Sequence, residues 1–243
     1  MADFHVFEDT AAVTEAAARL FADLSHQALY ERGRFTVALS GGSTPVPLFQ
    51  RLTFSPWCSA IPWNRTLFFW GDDRAVGPEH EYSNYRMARV TLLDHVPVAE
   101  ENVIRIRGEL GAVEAAKAYK ADLAEAFGPC GAPRFDLVIQ GVGMDGHTAS
   151  LFPGGPELEA TSWVVPVSNA SADPAVDRVT LSLPVFNRAR TALFLATGTG
   201  KAPVVRDVVN DPAAMDRYPA ARVEAEQTLW YVDENAFSLA KKG

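Results

Sequence analysis

Short apolar runs rich in β-branched and aromatic residues alternate along this chain with stretches of helical periodicity, and no other feature restricts its fold as much. Parallel strands need a crossover between them, so the alternation points to an α/β fold with a mainly parallel sheet flanked by helices on both faces. Strands are predicted at residues 35–40, 66–70, 103–106, 135–140, 178–183, 191–196 and 228–232, enough for one sheet. A first helix is predicted from about residue 11 to 30, where Val13, Ala17, Leu20, Leu24 and Ala28 recur at three- and four-residue steps behind the caps Asp9 and Thr10. Another is predicted over 112–127, ended by Gly128 and Pro129. The Pro- and Gly-rich pieces at 128–133 and 153–156 are too short to separate domains, and no repeat is present. Residues 1–243 are therefore expected to form a single domain.

Composition enters by exclusion. A formal charge of −8 disfavours a nucleic-acid partner, which would need a basic surface to displace counterions. Cys58 and Cys130 form no C-x-x-C pair, and the five histidines form no H-x-x-x-H, so neither a disulfide scaffold nor a metal site is expected. The N-terminal segment lacks a secretory pattern, and no run approaches the roughly 18 apolar residues that span a bilayer. No membrane association is expected, and the default location is cytoplasmic. An acidic protein can still bind an anion if a few cations and backbone N–H groups gather in one cleft.

In open α/β sheets ligands sit beyond the carboxyl ends of the strands, so the segments after Ser40, Trp70, Gln140 and Ala196 are where chemistry is expected. After Ser40 come Gly41, Gly42, Ser43 and Thr44, with Thr44 placed to cap a helix that has Pro45 at its first position. Such a loop suits a phosphate. The later run Thr197-Gly198-Thr199-Gly200-Lys201-Ala202 is not a Walker A loop, because Ala202 stands where Ser or Thr must hold magnesium. Lys201 remains a point charge for a phosphate. Gly141-Val142-Gly143-Met144-Asp145-Gly146 matches G-x-G-x-x-G, but Pro153-Gly154-Gly155-Pro156 interrupts the helix that a dinucleotide site requires. What remains is a glycine-rich turn presenting Asp145 and His147. Asp72, Asp73 and Arg74 follow another strand, Arg86 lies on the helix predicted to start near Ser83, and Arg178 opens a further strand.

The runs Leu39-Ser40-Gly41-Gly42-Ser43-Thr44-Pro45, Asp72-Asp73-Arg74 with Ser83-Asn84-Tyr85, Gly141 through Pro153, and Arg178-Val179-Thr180-Leu181-Ser182-Leu183-Pro184 closely resemble the 6-phosphogluconolactonase family. The resemblance covers nearly the whole chain in order, and its most specific element is the D-G-H-T-A-S-L-F-P run. It implies a Rossmann-like sheet, no cofactor, and hydrolysis of 6-phospho-D-glucono-1,5-lactone to 6-phosphogluconate in the oxidative pentose phosphate pathway, with His147 as base. The related glucosamine-6-phosphate deaminases share the S-G-G-S-T-P loop, but their histidine segment continues toward N-E-P, where this chain has Leu151-Phe152-Pro153. The usual D-E-R triplet of the lactonases reads Asp72-Asp73-Arg74 here, which leaves the role of Asp73 open.

A lactone hydrolase needs a held substrate, a deprotonated water and a place for charge on the carbonyl oxygen. On this reading His147 takes the water proton, Asp145 or Asp72 orients the imidazole or a sugar hydroxyl, glycine-rich backbone N–H groups meet the oxyanion, and Gly143 is counted among the substrate-binding residues. The phosphate rests on Gly41, Gly42, Ser43 and Thr44, with Arg74, Arg86, Arg178 and Lys201 as countercharges of which not all need reach it. The expected partner is a small sugar-phosphate lactone, and the expected assembly a monomer or weak homo-oligomer. A deaminase or a non-catalytic sugar-phosphate sensor on the same fold would be the alternatives.

Overall fold

The computed structural model describes residues 2–128, 131–168 and 174–240. Its strands in chain order are β1 (Asp3–Phe7), β2 (Phe35–Leu39), β3 (Thr66–Trp70), β4 (Asp72–Arg74), β5 (Leu137–Gly141), β6 (Val164–Val167), β7 (Arg178–Leu181), β8 (Thr191–Ala196) and β9 (Gln227–Asp233). Six form a sheet in the order β1-β9-β8-β5-β2-β3, every pair parallel. This is the expected Rossmann-like α/β architecture. Its inner strands β2, β5 and β8 are apolar almost throughout because helices cover both faces of the sheet.

The prediction of one sheet is corrected. Strand β7, the predicted run at 178–183, does not join the parallel sheet but pairs antiparallel with β4 and β6 in a second sheet of three strands. Strands β4 and β6 are too short to show a period, and β6 carries Pro166, which suits an edge. The prediction at 103–106 is corrected too: only Val103 bridges Phe68, and the rest of that run is not a strand. Strand β1 is an exposed edge with only partial burial, so its apolar signal is weak.

The helix Thr10–Arg32 forms as its caps predict: the Asp9 carboxylate accepts from the Ala12 N–H at 2.8 Å, and Gly33 closes it in the left-handed region. Its buried face is Val13, Ala17, Phe21 and Ala28, whereas Leu20 and Leu24 are only partly covered. The helix Ala112–Phe127 has its predicted bounds and ends at Gly128; Pro129 and Cys130 lie outside the described residues. Asp136 pins the amino end of the sheet. Its carboxylate accepts from the Thr36 N–H and hydroxyl, both at 2.8 Å, and from Arg32 Nε at 2.9 Å, so strands β2 and β5 are registered at the end opposite their carboxyl edge. Among the described residues no helix is long and apolar enough to cross a membrane.

The strand order reverses between β2 and β5. From β2 the chain moves outward to β3, then returns to the other side of β2 through β5 and continues to β8 and β9. The loops leaving β2 and β5 therefore diverge at the carboxyl edge and open a crevice between them.

Candidate active site

That crevice is a cavity of about 200 Å³ whose lining includes Ser40 through Thr44 after β2, Asp72 and Arg74 on β4, Gly143 and His147 after β5, Arg178 on β7 and Lys201. Sequence positions from 40 to 201 thus meet at one point. A second, larger chamber adjoins it, and Arg74, His147 and Arg178 line both.

At the end of β5 the Asp145 carboxylate accepts from His147 twice, from the backbone N–H at 3.1 Å and at Nδ1 at 2.6 Å. An ionised carboxylate only accepts, so Nδ1 carries a proton, and in the neutral imidazole Nε2 is the nitrogen with the lone pair. Partial burial pushes the Asp145 carboxyl up, but the hydrogen bonds and charge of His147 outweigh it and hold the group below its ordinary value. The ring of Phe152 packs 4.9 Å from the imidazole. Gly143 has no room for a side chain, since a Cβ there would lie 2.1 Å from His147 Nδ1 and 2.3 Å from Asp145 Oδ1. Its N–H donates to the His147 carbonyl at 2.8 Å. This N–H is engaged in holding the turn.

The rest of the D-G-H-T-A-S run ties the turn to both sheets. The Thr148 hydroxyl reaches Gln140 Oε1 at 2.8 Å and the Gly141 carbonyl at 2.9 Å, and the Ser150 hydroxyl donates to Asp72 Oδ2 at 2.6 Å. Between them Ala149 takes a left-handed φ of 49° and lines the cavity.

Of the two carboxylates left open as partners of the imidazole, Asp145 is the one that touches it. Asp72 is buried and bonded to Ser150 and Asn84. Asp73 is absent from the cavity lining. Its carboxylate accepts from the backbone N–H groups of Arg74, Asn84 and Tyr85 and from the Ser83 hydroxyl, and so seats the helix Asn84–Thr91. Burial pushes its pKa up to about 7, against those N–H groups. Asp73→Ala would orphan three N–H groups, so it is expected to cost about 3 kcal/mol, read as a lower denaturant midpoint.

The anion loop departs from expectation in one respect. The helix begins at Val46 with Pro45 in the cap position, and no side chain caps it, so Thr44 is free of that role. Arg86 differs from expectation as well: it lies in the first turn of its helix and does not line the cavity, while its charge acts on Glu79. Arg178 is buried, donates to the Pro174 carbonyl at 3.2 Å and stacks over Phe152 at 5.6 Å. Burial holds the Lys201 ammonium below the ordinary lysine range, with the Asp145 charge pulling the other way.

Ser40, Gly141, Val142 and Ala149 also line the cavity without having been read as site residues, and two polar positions with a structural part in the site escaped that reading as well. Asn84 lines the cavity although it was legible only as part of a helix start. Asp233 is distant, but both of its oxygens accept from the Gly198 N–H, at 3.0 and 3.1 Å, and so hold the loop that carries Lys201. Among the described residues no cluster of three or more His, Cys, Asp or Glu is placed to hold a metal ion.

Fold and site together define a Rossmann-like α/β protein whose switch-point crevice sets a histidine–carboxylate pair beside a Gly-Gly-Ser-Thr loop and several cations. Residues 8–230 match the family described as glucosamine-6-phosphate isomerases/6-phosphogluconolactonase, and the chain belongs to it. It is 37% identical over 214 residues to a 6-phosphogluconolactonase of Synechocystis, covering 86% of each chain. It is 42% identical over 212 residues to the human 6-phosphogluconolactonase, covering 86% of this chain and 81% of that one. The crystal structure of the Thermotoga maritima 6-phosphogluconolactonase superposes with a TM-score of 0.84 at 28% identity, covering 96% of this chain and 100% of that one.

Proposed function

We propose that this chain hydrolyses 6-phospho-D-glucono-1,5-lactone to 6-phosphogluconate, with His147 as general base. The observation that carries the reading is His147, held by Asp145 and lining the same crevice as the loop Gly41–Thr44. The identity to lactonases of this family supports the substrate. With Nδ1 engaged by Asp145, Nε2 accepts a proton from water as the water adds to the lactone carbonyl, and returns it to the ring oxygen as the C–O bond breaks. Because the Gly143 N–H is occupied, charge on the carbonyl oxygen falls to the guanidinium groups of Arg74 and Arg178, which share both chambers with the imidazole. The phosphate is met by Gly42, Ser43, Thr44 and Lys201. No covalent intermediate and no cofactor enters this scheme. The continuation Leu151-Phe152-Pro153 supplies no carboxylate to support a deaminase-type ring opening. The test is a coupled assay on freshly generated lactone, corrected for spontaneous opening; a parent protein without turnover would overturn the reading.

Lys201→Ala should raise KM about 10- to 100-fold, the worth of a charged hydrogen bond, with kcat nearly kept. The pH dependence follows from the sign of the lysine shift. A bound phosphate favours the ammonium, so affinity is full below the lowered pKa of the free protein and falls as pH rises through it. KM is therefore expected to climb at a pH below the ordinary lysine value of about 10.4, and Lys201→Arg should remove that climb because a guanidinium stays charged. Initial-rate profiles of the three proteins check both statements.

A further inference from the structure

Asn84 stands at the centre of a hydrogen-bond chain that joins three loops of the crevice. The Ser150 hydroxyl donates to Asp72 Oδ2 at 2.6 Å. Asn84 Nδ2 donates to Asp72 Oδ1 at 3.3 Å and to the Asp72 carbonyl at 2.9 Å. Asn84 Oδ1 then accepts from Arg74 Nη1 at 2.7 Å, and the same nitrogen donates to the Tyr82 carbonyl at 2.8 Å. The amide orientation is forced, because a carboxylate offers no proton and a guanidinium accepts none. Asn84 is 2% exposed. We propose that Asn84 is a positioning residue that aims the Arg74 guanidinium at the reacting carbonyl oxygen and links it to the Asp72–Ser150 end of the histidine segment. The proposal rests on the lactonase reading and on the place it gives Arg74.

Only a side chain with a donor and an acceptor on one short planar head satisfies both neighbours. Alanine leaves Asp72 Oδ1 and Arg74 Nη1 each without this partner. Aspartate keeps the acceptor for Arg74 but turns a second carboxylate toward Asp72. Glutamine is a methylene longer, in a place with no slack: a Cβ on Gly41 would lie 2.0 Å from Asn84 Oδ1 and 2.3 Å from Nδ2. Gly41 is thereby explained by close approach of the amide, in addition to its place in the anion loop. Arg74 Nε is buried without a hydrogen-bond partner, so the Nη1 contacts to Tyr82 and Asn84 carry its orientation.

The test separates this role from general support of the fold. In Asn84→Ala, kcat is expected to fall about 100-fold with KM held within about threefold, as misaim of a transition-state contact does. In Asn84→Asp, the introduced carboxyl reproduces the donor and acceptor of the amide when protonated and loses the donor when ionised. The ratio of its kcat to that of the parent should therefore rise as pH is lowered from about 8.5 to 5.5. An unchanged kcat in N84A, or a flat ratio across that range in N84D, overturns the proposal. Should those variants fail to fold, Gly41→Ala presses on the amide without altering any charge. A fall in kcat with KM held supports the role, and an unchanged kcat, or a change in KM alone, overturns it. Because every comparison is made to a parent that turns over lactone, loss of the lactonase reading would show in the parent itself.

Discussion

Replacing His147 with alanine is expected to lower lactone turnover by about 100- to 10,000-fold, the range for removal of a general base. The protein should stay folded. The imidazole side chain is 34% exposed and its partner Asp145 is 51% exposed, so their contact contributes little to stability and the loss falls on chemistry. KM should change little, because the phosphate is held at the other loop. Initial rates on freshly generated lactone, with the spontaneous reaction subtracted, give the answer, and equal rates for parent and variant would remove the proposed base. Asp145→Asn should fall in the same direction by a smaller factor, since the amide can still touch Nδ1 but no longer favours the proton there.

Gly143→Ala should be nearly as damaging although it removes no functional group. The added methyl would sit 2.1 Å from His147 Nδ1 and 2.3 Å from Asp145 Oδ1, inside the van der Waals contact of both. Neither side chain can yield without breaking the 2.6 Å contact between them. A displacement of about 1 Å at a reacting group costs on the order of 100-fold in rate, so kcat is expected to drop by that factor. Overpacking should also lower stability by about 1 to 3 kcal/mol, visible as a lower Tm. Activity like that of the parent would show that the pair need not be held in this geometry for turnover.

The parallel strands β2, β3, β5, β8 and β9 were legible because each is a compact apolar run closed by a change of composition, while the first long helix carries its start signal and the second its stop signal. What escaped was the second sheet. Strand β4 spans three polar residues, Asp72 to Arg74, and exists only because β7 lies alongside to pair with it. Strand β7 reads as a member of the main sheet by every local criterion; no local pattern says which neighbour a strand will choose.

The site divides along the same line. Gly41, Ser43, Thr44, His147 and Lys201 are identifiable by type and by their place after strands, since glycine-rich turns and unpaired polar groups at strand ends are costly unless used. Arg86 was expected with them as a cation, yet from the first turn of its helix it does not line the crevice. Asn84 looked like an ordinary residue of a helix start, although its amide faces a glycine from another loop.

From the residues alone followed the class of fold, the strand ends where ligands gather, and the presence of a histidine beside a carboxylate. The tertiary structure decided which carboxylate meets the imidazole, which N–H groups are already taken, and which cations reach the cavity. The reason is range: periodicity, caps and turns act over a few residues, whereas hydrogen-bond partners in the crevice lie as far apart in the chain as Asp72 and Ser150 and are chosen by packing.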